Sequence, residues 1–148
     1  MNRNRRVVLD TSKLVSAALF TGSLPDQALS KALEFFDLCA SVETLAELEQ
    51  VLGRGKFDRY RDRDSRRAFE ALILRRAHLF AVDITDLSAV DPPCRDPKDN
   101  IFLALVMAAE ADLLVSSDED LLILHPWRGI PIITPAEFLA RFSKSSAE

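Results

Sequence analysis

The side chains best placed to do chemistry in this sequence are carboxylates. Asp10 follows the apolar run Val7-Val8-Leu9, and Asp118 and Asp120 follow Leu113-Leu114-Val115-Ser116. Asp96 and Asp99 stand just ahead of the apolar stretch that begins at Ile101, and Glu47 and Glu49 flank Leu48. The other common chemistries lack their residues. Two histidines, His78 and His125, cannot build a histidine-rich zinc site, and Cys39 and Cys94 have no Cys-x-x-Cys spacing. Four glycines leave no phosphate-cradling loop of the P-loop or G-x-G-x-x-G kind. Converging carboxylates repel one another unless a cation sits between them. An all-oxygen set selects a hard ion, Mg²⁺ or Mn²⁺. Such a site can activate a bound water and clamp the oxygens of a phosphodiester.

The chemistry requires elements that bring these acids to one edge. Short apolar runs at Val7–Leu9, Phe35–Ala40, Leu79–Ile84, Leu113–Ser116 and Ile130–Thr134 read as strands. Helical spacing recurs between them. Leu14, Val15, Ala18 and Leu19 share one stripe, with Thr11 and Ser12 as cap candidates. A second pattern opens at Leu24-Pro25, and Ser41 caps a third with Leu45, Leu48, Val51 and Leu52. A fourth carries Phe69, Leu72, Ile73 and Ala77. Residues 98–110 are apolar on nearly every face, so that helix should be buried. A short helix is expected over Glu119–Leu124 and a last one from Pro135 to about Phe142. Strands that alternate with helices, and are continuously apolar, predict an α/β fold. Its central parallel sheet of about five strands would be covered on both faces, a three-layer α/β/α sandwich. Ligands of such sheets sit beyond the carboxyl ends of the strands, where the acids fall.

Each acid also has a structural use. Asp96-Pro97-Lys98-Asp99 reads as a helix start, with Asp96 at the N-cap, Pro97 at N1 and Asp99 at N3. Asp118 can cap the helix after it, and Thr44-x-x-Glu47 fits a capping box. Asp10 has the least structural use, because it directly follows a buried strand. Glu47 and Glu49 both lie at the edge of an apolar stripe, and geometry alone leaves both open.

Length and charge set the remaining bounds. A chain of 148 residues predicts one domain over 1–148, with a frayed tail at 143–148. The apolar stretch Ile101–Ala109 is nine residues long, whereas a bilayer span needs about 20. Asp10 also interrupts the apolar residues behind the basic start Asn2–Arg6, so no export signal is expected. A cytoplasmic protein with two inert, buried thiols follows. The net charge of −4 conceals an uneven distribution. Residues 53–78 hold nine Lys/Arg and four Asp/Glu, so the rest of the chain is strongly acidic. Within that segment, Arg54, Lys56, Arg59 and Arg61 interleave with Phe57 and Tyr60, a pattern that can follow a phosphate backbone and stack a base. The interspersed Asp58 and Asp62 equally suit a solvated face laced with charge pairs.

In order and spacing, six segments and a closing one resemble the PIN-domain proteins. They are Val7–Thr11, Leu14–Ala17, Thr44–Leu48, Lys56-Phe57, Cys94–Asn100, Val115–Leu121 and Ile130–Phe138. Within that family the chain resembles the toxins of prokaryotic toxin–antitoxin pairs, VapC-like ribonucleases, across about residues 5–140. The resemblance implies a Mg²⁺- or Mn²⁺-dependent endoribonuclease acting on RNA, often a homodimer, silenced by a small cognate antitoxin. It implies that Asp10, Glu47, Asp99 and Asp118 are the metal-site acids, with Asp96 and Asp120 accessory, and it selects Glu47 over Glu49. Asp10, Asp99 and Asp118 would hold the ion, and Glu47 would bind a second ion or orient the attacking water. The basic residues Arg54, Lys56, Arg59 and Arg61 become RNA contacts. Ser12 stands where many relatives have Asn, and Ser116-Ser117 where they have Thr-Gly; Ser12 can still hydrogen-bond a metal-bound water. Two other readings compete. One is a catalytically idle domain whose acidic cleft docks a partner. The other is a phospho-accepting switch, which Ile130–Thr134 fits poorly because it offers no lysine.

Overall fold

The computed structural model describes residues 4–142, so the expectation of a frayed tail at 143–148 lies outside the described residues. The first strand, β1 (Arg6–Leu9), leads into α1 (Thr11–Leu19) and α2 (Leu24–Phe35), and the chain returns as β2 (Asp37–Ala40). Helices α3 (Val42–Leu52) and α4 (Arg63–Arg76) follow, joined by a segment whose only helical turn is Gly55–Phe57. Then come β3 (His78–Leu79), α5 (Ile84–Ser88), α6 (Asn100–Ala109), β4 (Leu113–Val115), α7 (Glu119–Leu122), β5 (Ile132–Ile133) and α8 (Pro135–Phe142). The five strands form one sheet in the order β3-β2-β1-β4-β5, and every pairing is parallel.

The pleat explains why the strands are continuously apolar. Val7 and Leu9 of β1 face a core shared with Leu113 and Val115 of β4, together with α1, α2 and Phe138 of α8. Val8 between them faces the opposite core, with Leu114, Ile132 and the apolar residues of α6. Each strand therefore needs hydrophobic side chains on both faces. The buried helix expected over 98–110 is α6, with Phe102 to Val106 all sequestered. Its last residue is followed by Glu110 in the left-handed conformation, φ 49°, where the helix stops.

Several boundaries differ from the sequence reading. The strand expected over Leu79–Ile84 is cut to His78–Leu79. Its last ladder bond runs from Phe80 N to Ala40 O, and the Asp83–Asp86 capping box then starts α5 at Ile84. Phe35 belongs to α2 rather than to a strand, which begins only at Asp37. Ile130 is drawn into an antiparallel bridge with Trp127, so β5 keeps only Ile132 and Ile133. The short helix ends at Leu122 instead of Leu124. The helix expected from residue 98 is split, with a tight turn over Pro97–Asp99 preceding α6. Cys39 and Cys94 are both buried, as expected. Among the described residues, no helix is long and apolar enough to cross a membrane.

Because α6 is packed against the sheet with Leu105 fully buried, Leu105→Ala should destabilise the protein by about 3 kcal/mol. The urea midpoint, followed by the emission of the single buried tryptophan Trp127, would show it.

Candidate active site

Pairing of β1 with β4 in the register Leu9↔Val115 brings the residues just past each strand side by side. Asp10 and Ser116 are those residues, and both are buried. The Ser116 hydroxyl donates a short hydrogen bond to Asp10 Oδ2. The same Oγ accepts from Asp118 N at 2.9 Å, so one hydroxyl ties two acids of adjacent loops together. The other oxygen of Asp10, Oδ1, accepts from Lys13 N at 2.9 Å and caps α1. This corrects two expectations: the cap is Asp10 rather than Thr11 or Ser12, and the carboxylate does have a structural use. Asp118 likewise caps α7, accepting from Asp120 N at 2.9 Å.

Asp99 and Glu47 behave differently. Asp96 makes the local cap, accepting from Lys98 N at 3.1 Å, while Asp99 at the start of α6 makes no side-chain cap bond. A second bond from the same loop, Cys94 N to Asn100 Oδ1 at 2.8 Å, braces the turn. For α3 the capping box is Ser41 with Thr44, not Thr44 with Glu47. Both acids are thereby released from capping. Asp99 Oδ2 and Glu47 Oε2 are buried without a hydrogen-bond partner, and so is Thr11 Oγ1. All three residues line one cavity of about 510 Å³, together with Asp10, Asp118 and Ser12. A buried polar atom without a partner is costly, so three in one cavity mark a place built to receive something polar.

The electrostatics agree. Burial pushes the Asp10 carboxyl above the usual range, against hydrogen bonds from Ser116 and Lys13 and the Lys13 charge; the Asp118 charge adds to the rise. Asp99 is pushed up to about 7, first by burial, then by sharing a proton with Asp118 and by the charges of Asp118, Asp96 and Asp10. The two oxygens without partners and the all-carboxylate donor set fit a hard divalent cation. Among the described residues, no three His, Cys, Asp or Glu side chains form a ready-made cluster for a metal ion. The acids stand on the cavity wall.

The accessory acids lie apart from that wall. Asp120 forms an ion pair with Arg95 at 2.8 Å, and Asp96 is engaged in its turn. Of the basic residues, Arg54 lines the cavity, as do Phe57 and Tyr60. Lys56 lies over the Phe57 ring and Arg59 over the Tyr60 ring. Arg61 is committed elsewhere, donating to Ala18 O of α1 at 2.9 Å.

Three contributors escape the sequence reading. Ser116 reaches Asp10 across 106 positions, which no local pattern reveals. Phe20 lines the cavity just beyond α1. Arg66 is buried beneath the basic segment, and its signal was available: it falls at helical spacing with Phe69 and Ile73, on the apolar stripe of α4.

A family model described as the PIN domain matches residues 6–120. Three solved structures resemble the chain in fold. VapBC2 from Rickettsia felis, bound to a DNA fragment from its promoter, has a TM-score of 0.63 at 12% identity, covering 87% of this chain and 98% of that one. VapC20 of Mycobacterium tuberculosis, a toxin that cleaves the sarcin-ricin loop, has a TM-score of 0.56 at 14% identity over 80% and 95%. PAE2754 from Pyrobaculum aerophilum has a TM-score of 0.58 at 14% identity over 95% and 90%. No curated protein matches by sequence.

Raised carboxyl pKa values make a pH prediction for the metal-free protein. The stability tied to Asp99 is fully present below the ordinary value of 3.8 and is lost as pH rises through about 7. In chelator, Asp99→Asn should therefore raise Tm at pH 8 by roughly 3 °C, with partial exposure of the site screening part of the cost. At pH 5 the gain should shrink to roughly a third of that, because Asp99 is still mostly protonated in the folded state. Differential scanning calorimetry at both pH values measures it.

Proposed function

Because this chain belongs to the PIN domain family, we propose that it is a Mg²⁺- or Mn²⁺-dependent endoribonuclease, the toxin of a toxin–antitoxin pair. The observation that carries this reading is the convergence of Asp10, Glu47, Asp99 and Asp118 on one cavity, two of them with buried oxygens lacking partners. The fold shared with a sarcin-ricin-loop-cleaving toxin and with a VapBC2 complex supports RNA as substrate and a small antitoxin as partner. A homodimer acting in the cytoplasm completes the proposal.

Asp10, Asp99 and Asp118 would hold the cation, with Glu47 beside them. Bound there, Mg²⁺ or Mn²⁺ would lower the pKa of a water and stabilise charge developing on the phosphodiester oxygens. The chain's own groups do the rest. Ser116 holds the Asp10 carboxylate against the backbone of Asp118, which limits how far the Asp10 oxygens must reorganise during the reaction. Glu47 Oε2, free of any partner, can accept a hydrogen bond from the attacking water and orient it. Ser12, exposed on the wall, can hydrogen-bond a second water. Arg54 supplies positive charge to the phosphate backbone entering the cavity.

Incubation of mixed RNA with Mg²⁺, Mn²⁺ or chelator tests the proposal. Cleavage is expected with either ion and not with chelator. Asp99→Asn should slow it by roughly 100-fold or more, beyond the cost of losing an outer-shell partner. Absence of cleavage by folded, antitoxin-free protein would favour the idle domain that docks a partner in its acidic cleft.

A further inference from the structure

The cavity that holds the acids is also lined by the rings of Phe20, Phe57 and Tyr60, to which the proposed hydrolysis assigns no part. Phe20 and Tyr60 meet edge to face, with ring centroids 5.3 Å apart and planes 71° apart. They are 44% and 50% exposed, so about half of each residue's surface is open to an incoming group. Arg59 lies over the Tyr60 ring at 5.2 Å, and Arg54 lines the same cavity. We propose that the Phe20–Tyr60 pair is the seat for one unpaired nucleobase of the RNA, and that Arg66 is the positioning residue that holds this seat in the cavity of the acids.

The proposal rests on the ribonuclease reading and deepens it by naming the substrate class. A ring face flanked by cations suits a polyanion whose bases offer π-faces. In a duplex those faces are covered by neighbouring base pairs, so only an unpaired base can enter.

Arg66 explains how the seat is held. The segment between α3 and α4 carries Arg54, Phe57 and Tyr60 yet has a single helical turn. The guanidinium of Arg66, 2% exposed, donates to Leu52 O at 2.6 Å, Arg54 O at 3.0 Å and Arg61 O at 3.1 Å, and it pairs with Asp58. One buried cation thus pins three carbonyls along the segment. The Arg61 bond to Ala18 O then ties the segment to the end of α1, two residues before Phe20. A buried guanidinium is expensive to desolvate, and every partner that offsets the cost lies on this segment or at its two ends. Its retention is explained if the segment's geometry matters.

Binding is measured in chelator, so RNA is not consumed, using a single-stranded oligonucleotide containing 2-aminopurine and its duplex. The wild type should bind the single strand more tightly than the duplex and quench the fluorophore. Tyr60→Leu and Phe20→Leu should each weaken single-strand binding about tenfold and abolish quenching, while Tyr60→Phe keeps both. Arg66→Met should weaken binding comparably once affinity is referred to the folded fraction measured by circular dichroism, and combining it with Tyr60→Leu should add little. An additive loss would overturn the positioning role. Parental affinity and quenching in the leucine variants, or equal binding of duplex, would overturn the seat. Cleavage assayed in parallel separates the two readings. Quenching without cleavage removes the nuclease and keeps the seat, and cleavage without ring-dependent quenching does the reverse.

Discussion

Parallel pairing of β1 with β4 is the constraint on which the site depends. In a parallel pair, both strands end at the same edge, so whatever follows them is brought together. Here the following residues are Asp10 and Ser116, and the serine hydroxyl links Asp10 to the loop of Asp118. Slipping β4 by one residue would exchange the Val115 face for the Leu114 face, moving its side chains between the two cores. Register is thus enforced by the packing of both cores, and the relative position of two acids is enforced with it. The cost of burying charge at this edge is set against a fold that cannot easily move the charges apart.

The capping arrangement determines which carboxylate oxygens remain available. Every helix that starts at this edge needs acceptors for its first amides. Asp10 and Asp118 meet that need with one oxygen each, and Ser41 with Thr44 meets it for α3. Asp96 meets it for the turn before α6, leaving Asp99 at the helix start with no amide to bind. Glu47 and Asp99 thus keep buried oxygens with no internal partner. Structural and chemical duties are divided among neighbouring acids. That division leaves carboxylates standing around one cavity, where a cation would relieve their mutual repulsion.

Much of the architecture is legible in the sequence because both faces of the sheet are covered. Val7–Leu9 and Leu113–Val115 are unbroken apolar runs, and α6 is apolar all round, so strand and buried helix declare themselves. The acids at the strand ends follow directly. Edge strands were harder, since β3 and β5 have only two residues each and are defined by a few ladder bonds, not by a periodic pattern. The Ser41 cap of α3 is legible, whereas the choice of Asp10 over Thr11 and Ser12, and of Thr44 over Glu47 as the partner in the box, is made only by the folded backbone. The Ser116 bridge spans 106 positions and depends on register. Arg66 is hidden among nine basic residues of its segment, although its place on an apolar stripe distinguishes it.

The central claim is that four wall-standing carboxylates form one cation site. Calorimetric titration of the metal-free protein with Mn²⁺ tests it most directly, without reference to any RNA. Saturable binding is expected, weakened at least about tenfold by Asp99→Asn and less by Glu47→Gln. Absence of saturable binding, or equal affinity in the wild type and Asp99→Asn, would contradict it.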